Sequence, residues 1–222
     1  MDQTPIHDQH NPELLALMPP HASRIIEAGC SSGALAREYK KLNPTCSYVG
    51  IEIEPAYAER ARRYCDIVHE LDIEAASDQQ LDEAFVGDCW VFGDTLEHLR
   101  DPWRLLQRIR IRLPAHGSVV ACIPNVQHWS VQARLVSGQF RYEPMGLLDR
   151  THLRFFTRET IGELFSGAQF AIESGYARNV GPMPDASVQA AIRQMAQSVG
   201  ADPEAALRDA MAFQYVLRAV PR

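Results

Sequence analysis

The sequence predicts an α/β fold, a parallel sheet covered by helices on both faces. From Ser23 onward, short apolar runs alternate with longer stretches of helical composition. The first run ends in a turn of small residues, Gly29-Cys-Ser-Ser-Gly33, and the second ends on a carboxylate, Glu52. In an open sheet of this kind those two points lie together, because ligands settle in the crevice outside the carboxyl ends of the strands.

After a polar arm, Leu14, Leu15, Leu17 and Met18 fill about two turns, so Pro12 to Met18 is a short helix stopped by Pro19 and Pro20. Ser23 to Ala28 is a strand around Ile25 and Ile26, and Ala34 to Leu42 a helix ending before Asn43 and Pro44. A strand from Ser47 to Ile53 follows, then a helix opened by Pro55 and running to about Tyr64, and a short strand from Ile67 to Leu71. Cys89 to Gly93 is the fourth strand, about Pro102 to Arg112 a helix, and Gly117 to Ile123 the fifth strand. Between residues 124 and 156 the alternation lapses, leaving one helix around Trp129 to Val136, and so long a connection is read as a functional lid. Thr157 caps a helix to about Ser166, and Phe170 to Ala177 is the sixth strand. The tail holds helices at Ala186 to Ser198 and Pro203 to Ala210, then a last strand over Ala212 to Val220.

A chain of 222 residues, 46% hydrophobic and 23% charged, suits one globular core. Its net charge of -6 argues against a broad nucleic-acid footprint. No window approaches the roughly 20 apolar residues of a membrane span. The start lacks the basic and apolar regions of a signal peptide, so a cytoplasmic location without a membrane partner is expected. Five cysteines, at 30, 46, 65, 89 and 122, are odd in number and widely spaced, against both a disulfide framework and a CxxC-type metal site.

The stretch Ile25-Ile-Glu-Ala-Gly-Cys-Ser-Ser-Gly-Ala34 has the order strand, tight turn, helix start, with small residues that let a ligand approach the backbone. Glu52 stands 23 residues after Gly29, a spacing that suits a carboxylate accepting hydrogen bonds from both hydroxyls of a ribose. These residues resemble the first motif of the class I S-adenosylmethionine-dependent methyltransferases, an acid, a spacer and Gly-x-Gly-x-Gly. Here it reads Glu27-Ala28-Gly29-Cys30-Ser31-Ser32-Gly33, with Ser31 at the middle glycine. The resemblance continues through Glu52, Leu71-Asp72-Ile73, the run from Asp88 through Gly93-Asp94 to Glu97-His98-Leu99, Leu113 to Gly117, and Cys122 to Asn125, covering about residues 13 to 180.

That resemblance implies a Rossmann-like doubly wound sheet, mostly parallel with an antiparallel C-terminal strand. It implies one methyltransferase domain over 1–222 with a lid-like insertion at about 124–156. It also implies S-adenosyl-L-methionine as cofactor, with Glu27, Ala28, Gly29, Cys30, Ser31 and Gly33 around the methionine part and Glu52 and Ile53 at the ribose. Asp72 and Ile73 would meet the adenine, and Gly93 and Asp94 the reacting end; the plainer role for Asp72 is a loop or helix-cap carboxylate.

The Leu96-Glu97-His98-Leu99 sequence resembles the ubiquinone-biosynthesis O-methyltransferase group, which implies His98 as the base for an acceptor hydroxyl. A histidine there also serves as a structural hydrogen-bonding residue. In that group an acid and this histidine can hold a divalent ion, but Asp94, Glu97 and His98 are too unspecific a set to name a metal, and none is expected. Gly146 to Thr157 resembles a segment of bacterial methyltransferases associated with glycan or lipopolysaccharide assembly. If it is extended, Arg150, His152 and Arg154 share a polar, cationic side while Thr151, Leu153 and Phe155 pack on the other. The cationic side would then take a phosphate or carboxylate of the acceptor, or the arginines would hold the lid through Asp149 or Glu143. His128 and Trp129 lie in a stretch that reads like a lid over the acceptor cavity, most simply as buried lid-packing residues and otherwise as substrate contacts. The helix-borne Arg104, Arg108, Arg110 and Arg112 read as a solvated face.

The function expected is methyl transfer to a small hydroxylated acceptor, saccharide-type or similar, with the oligomeric state open. A non-catalytic regulator that binds an acyltransferase is the alternative, because the Pro124-Asn125 and His128-Trp129 run resembles methionine-biosynthesis accessory proteins of methyltransferase-like fold. An NAD-dependent oxidoreductase is weaker, since Ser31 would crowd the pyrophosphate where that fingerprint needs glycine.

Overall fold

In the computed structural model, which describes residues 8–222, the apolar runs form one seven-stranded sheet. Residues 1–7 of the polar arm lie outside the described residues. The strands are β1 (Arg24–Ala28), β2 (Ser47–Glu52), β3 (Ile67–Glu70), β4 (Cys89–Gly93), β5 (Ser118–Pro124), β6 (Phe170–Arg178) and β7 (Gln214–Pro221), in spatial order β3-β2-β1-β4-β5-β7-β6. β1 to β5 pair in parallel, and β7 runs antiparallel to both β5 and β6. The order turns back between β1 and β4, where an open α/β sheet forms its ligand crevice. An antiparallel strand inserted between β5 and β6 departs from the all-parallel order of dinucleotide-binding sheets.

The helices are α1 (Pro12–Leu17), α2 (Ala34–Leu42), α3 (Pro55–Ala61), α4 (Asp78–Glu83), α5 (Pro102–Arg110), α6 (Trp129–Val136), α7 (Arg158–Gly167), α8 (Ala186–Ser198) and α9 (Pro203–Met211). Proline opens α1, α3, α5 and α9, where its missing N–H is not needed. Side chains of Asn11, Asp101, Thr157 and Asp202 cap α1, α5, α7 and α9. α4 was not anticipated. It has six residues and one buried side chain, Leu81, too little for a periodic signal, though its Ser77/Gln80 capping box was there to be read.

Strand alternation splits the core into two layers. Ile26, Trp90 and Phe92 pack on one face with Leu105, Leu106 and Ile109 of α5 and with α7, while Ile25, Tyr48, Cys89 and Val91 pack on the other with α1 and α2. The connection after β5 is anchored at both ends by a bridge between Asn125 and Phe156, and Val131, Leu147 and Leu148 give it a small core of its own.

Candidate active site

A cavity of about 820 Å³ opens at the carboxyl ends of the strands, within the range of small-molecule sites. One end is lined by Glu27, Gly29, Cys30, Ser31, Glu52, Ile53, Asp72 and Ile73, and the other by Gly93, Asp94, Glu97, His98, Arg150, Thr151 and His152. Ala28 and Gly33 are not on this surface. They shape the loop from behind: Ala28 accepts a hydrogen bond from the Thr95 hydroxyl at 2.9 Å, and Gly33 lies against α3, where a Cβ would stand 3.1 Å from the Cα of Ala61.

The small-residue turn owes its shape to backbone freedom. Gly29, Ser31 and Gly33 all have positive φ, at 74°, 48° and 76°. Ser31 thus adopts the left-handed conformation that glycine enters more readily. The Gly29 and Cys30 N–H groups donate to the Ile51 carbonyl at 2.8 and 3.2 Å, stitching the turn to β2. Glu52 completes the stitch: its Oε2 accepts from the Ser31 N–H at 2.8 Å and its Oε1 from the Glu54 N–H at 2.9 Å. Each oxygen keeps a second lone-pair site, so the carboxylate fits the two vicinal hydroxyls of a ribose. Burial raises the Glu52 pKa, with those N–H groups opposing. Beneath the turn, burial lifts Glu27 to about 8 against the lowering hydrogen bond from Tyr48, and the Glu52 charge adds to the rise. Asp72 lines the cavity and also caps the following 3-10 turn, accepting from the Glu74 N–H at 2.9 Å.

At the other end Asp94 has φ 57° and accepts a hydrogen bond from the Gln214 side chain. Glu97 is 1% exposed, and neither carboxyl oxygen has a hydrogen-bond partner among the described residues. Burial first, then the Asp94 and Asp149 charges, push its pKa well above the usual carboxylate range. The His98 and His152 rings meet edge to face at 4.8 Å, and His152 Nε2 stands 3.9 Å from Glu97 Oε1. Burial lowers both histidines, His152 to about 4, so neutral imidazole is favoured at each. His98 Nδ1 lies 3.2 Å from the Thr151 carbonyl and 3.0 Å from the Thr151 hydroxyl, which donates to Asp149 Oδ1 at 2.7 Å. Glu97, His98 and His152 offer ligand atoms within 4.8 Å of one another, whereas metal bonds of about 2.1 Å keep all ligands of one ion within about 4.2 Å.

Three expectations are corrected. Arg150, His152 and Arg154 do not share one side: His152 is buried while Leu153 and Phe155 are 49% and 37% exposed. The Leu153 and Arg154 N–H groups both donate to the Glu97 carbonyl, at 2.8 and 2.9 Å, and this pairing overrides strand alternation. Arg154 turns away from the cavity, donates to the Arg100 carbonyl and lies 5.8 Å over the Trp103 ring. His128 and Trp129 do not line the cavity either. His128 is buried, caps α6 through Ser130 and packs on Phe213, while Trp129 packs against the α8–α9 cluster. The arginines in and just after α5 are not simply solvated, since Arg108 of α5 and Arg112 two residues beyond its end reach Asp78 and Asp82 and tie this stretch to α4.

Two residues at this second end of the cavity were not singled out from the sequence, Thr151 and Gln214. The Asp149-Arg150-Thr151 spacing is a local signal, an aspartate accepting from the N–H two residues on, here at 2.8 Å. Gln214 comes from the far end of the chain, and no local pattern marks it.

The methyltransferase-domain family model matches residues 8–174. Among solved structures, an S-adenosylmethionine-dependent methyltransferase of Thermotoga maritima superposes with TM-score 0.62 at 17% identity, over 95% of this chain and 86% of that one. One from Mesorhizobium loti gives 0.61 at 17% identity, covering 94% and 96%. Human N-acetylserotonin methyltransferase, solved in complex with S-adenosylmethionine, gives 0.58 at 16% identity, where 95% of this chain covers 51% of that one. Among curated proteins none matches significantly. These likenesses show the fold, and the family match spans most of the chain, so the glycine turn, the β2 carboxylate and the inserted antiparallel strand are accounted for together: the chain belongs to the methyltransferase-domain family and is a class I, S-adenosylmethionine-dependent methyltransferase.

Proposed function

We propose that the acceptor is a small hydroxylated molecule of saccharide type and that methyl is transferred to one of its oxygens, with His98 taking the hydroxyl proton. The observation that carries this is the polar acceptor end, where a neutral histidine stands beside a buried carboxyl whose oxygens lack hydrogen-bond partners among the described residues. A buried polar group left so by the protein takes its partner from water or a bound molecule, and an acceptor's neighbouring hydroxyls supply both donors and acceptors.

When bound, S-adenosylmethionine supplies a methyl on a sulfonium, already an excellent leaving group. The chain's work is therefore positioning and proton removal. The Gly29–Ser31 backbone and Glu52 would hold the methionine and ribose parts, and Asp72 and Ile73 would border the adenine. Glu97 accepts or donates a hydrogen bond to one acceptor hydroxyl, which aligns a neighbouring oxygen beside His98. Neutral His98 receives that proton. The Met145–Leu153 stretch borders the cavity and shields the transfer from water.

Labelled methyl transfer to a panel of sugars and sugar phosphates tests the reading. Label should enter an ether oxygen, and His98→Ala should lower kcat on the order of 10² to 10⁴-fold with KM little changed. Label found only on nitrogen, carbon or sulfur acceptors would overturn the oxygen assignment, and normal turnover by His98→Ala would remove the base.

A further inference from the structure

We propose that Thr151 and Asp149 are positioning residues that hold His98 as the Nδ1–H tautomer, leaving the lone pair on Nε2. Its consequence for turnover rests on the reading of His98 as base; the tautomer itself does not.

Two contacts agree on the proton. A carbonyl oxygen only accepts, so the 3.2 Å contact between His98 Nδ1 and the Thr151 carbonyl is a hydrogen bond only if Nδ1 carries hydrogen. The Thr151 hydroxyl has one hydrogen, and Asp149 Oδ1 takes it at 2.7 Å. Toward Nδ1, 3.0 Å away, the hydroxyl therefore presents a lone pair. Two acceptors converge on one ring nitrogen.

The support behind them is rigid. Asp149 is 2% exposed, and its Oδ1 also accepts from the Thr151 N–H at 2.8 Å, which fixes the threonine to the carboxylate. The Leu153 and Arg154 N–H groups on the Glu97 carbonyl clamp this segment to the turn that carries His98. His152 closes the other side of the ring edge to face. Among the described residues, Nε2 of His98 makes no hydrogen bond, and the residue lines the cavity.

In neutral imidazole one nitrogen is donor and the other acceptor. The opposite tautomer would set a hydrogen on Nε2, and a base with its proton already in place accepts none. The segment after α6 thus completes the base as well as bordering the acceptor space. Base and cover are assembled by the same contacts.

Nitrogen-15 NMR of the full chain with S-adenosylhomocysteine tests this without an acceptor. At neutral pH the wild-type spectrum should show His98 with a protonated Nδ1 and an unprotonated Nε2. Asp149→Ala frees the hydroxyl to donate toward Nδ1, so it should show a substantial Nε2–H population. Thr151→Val should show a smaller one, and Thr151→Ser should restore the single form. On an acceptor found by the labelling panel, Asp149→Ala should lower kcat by about ten- to a hundredfold with KM held. A wild-type Nε2–H tautomer overturns the proposal, as does a folded Asp149→Ala that keeps the wild-type pattern. Because the wild-type spectrum is itself decisive, a variant that fails to fold does not protect the idea. If the tautomer is as stated but His98→Ala turns over normally, the base reading falls and the positioning stands. If His98→Ala is crippled and the wild type is Nε2–H, the positioning falls, and His98 serves turnover otherwise than as an Nε2 base.

Discussion

The Tyr48 hydroxyl on β2 donates a hydrogen bond of 2.8 Å to the carboxyl of Glu27 on β1, and both residues are buried beneath the glycine turn. One neutral donor does not offset the burial of a carboxylate, so Glu27 sits at about 8 against an ordinary 4.5. The folded protein then binds a proton that the unfolded chain releases. Stability from this group is complete below about pH 4.5 and is lost as pH rises through about 8. Ligand-free wild type should therefore lose melting temperature relative to Glu27→Gln between about pH 5 and 9. A constant difference between the two across that range would mean Glu27 is already ionised in the fold.

Glu52 faces the cavity and is bonded to the Ser31 and Glu54 N–H groups, so its removal acts twice. Glu52→Ala should weaken S-adenosylhomocysteine binding by about 1 to 3 kcal/mol in calorimetry and speed amide exchange at Ser31. Glu52→Gln, which keeps one carbonyl oxygen, should lose less. Unchanged affinity in the folded alanine variant would move the ribose elsewhere.

Arg150 and Arg154, four residues apart, should part company on mutation. Arg150 is exposed and lines the cavity, so Arg150→Ala should raise KM for an anionic acceptor several-fold at constant kcat. Arg154 is spent on the Arg100 carbonyl and the Trp103 ring, an interaction on the order of 0.5 to 2 kcal/mol. Arg154→Ala should lower the melting temperature and leave the kinetics intact. Kinetic loss on Arg154→Ala at full stability would restore it to the acceptor.

The strands and the glycine turn were legible because their causes are local. β4, α2, α6 and α8 begin and end where apolar runs, proline and small residues say they should. Even Ser31 at a glycine position keeps the left-handed backbone that the motif requires. The order of motifs was enough to expect one crevice holding Glu27, Gly29, Glu52, Asp72 and Asp94, and these residues do line one cavity.

What the linear pattern could not supply is the direction of side chains in irregular segments. Alternation is a property of a strand, and residues 149–154 are instead bent by two N–H groups bonded to Glu97, more than fifty positions earlier. That pairing buries His152, exposes Leu153 and turns Arg154 outward. His128 and Trp129 were set by packing against Phe213 and the α8–α9 pair, which lie far downstream in the chain. Arg108 and Arg112 found their partners on α4, a helix too short to announce itself. The glycine-turn end of the cavity is thus written in short local motifs, whereas the end around Glu97 and His98 is made by contacts between segments far apart in the chain. Such contacts form only when the sheet brings those segments together, and no local propensity encodes them.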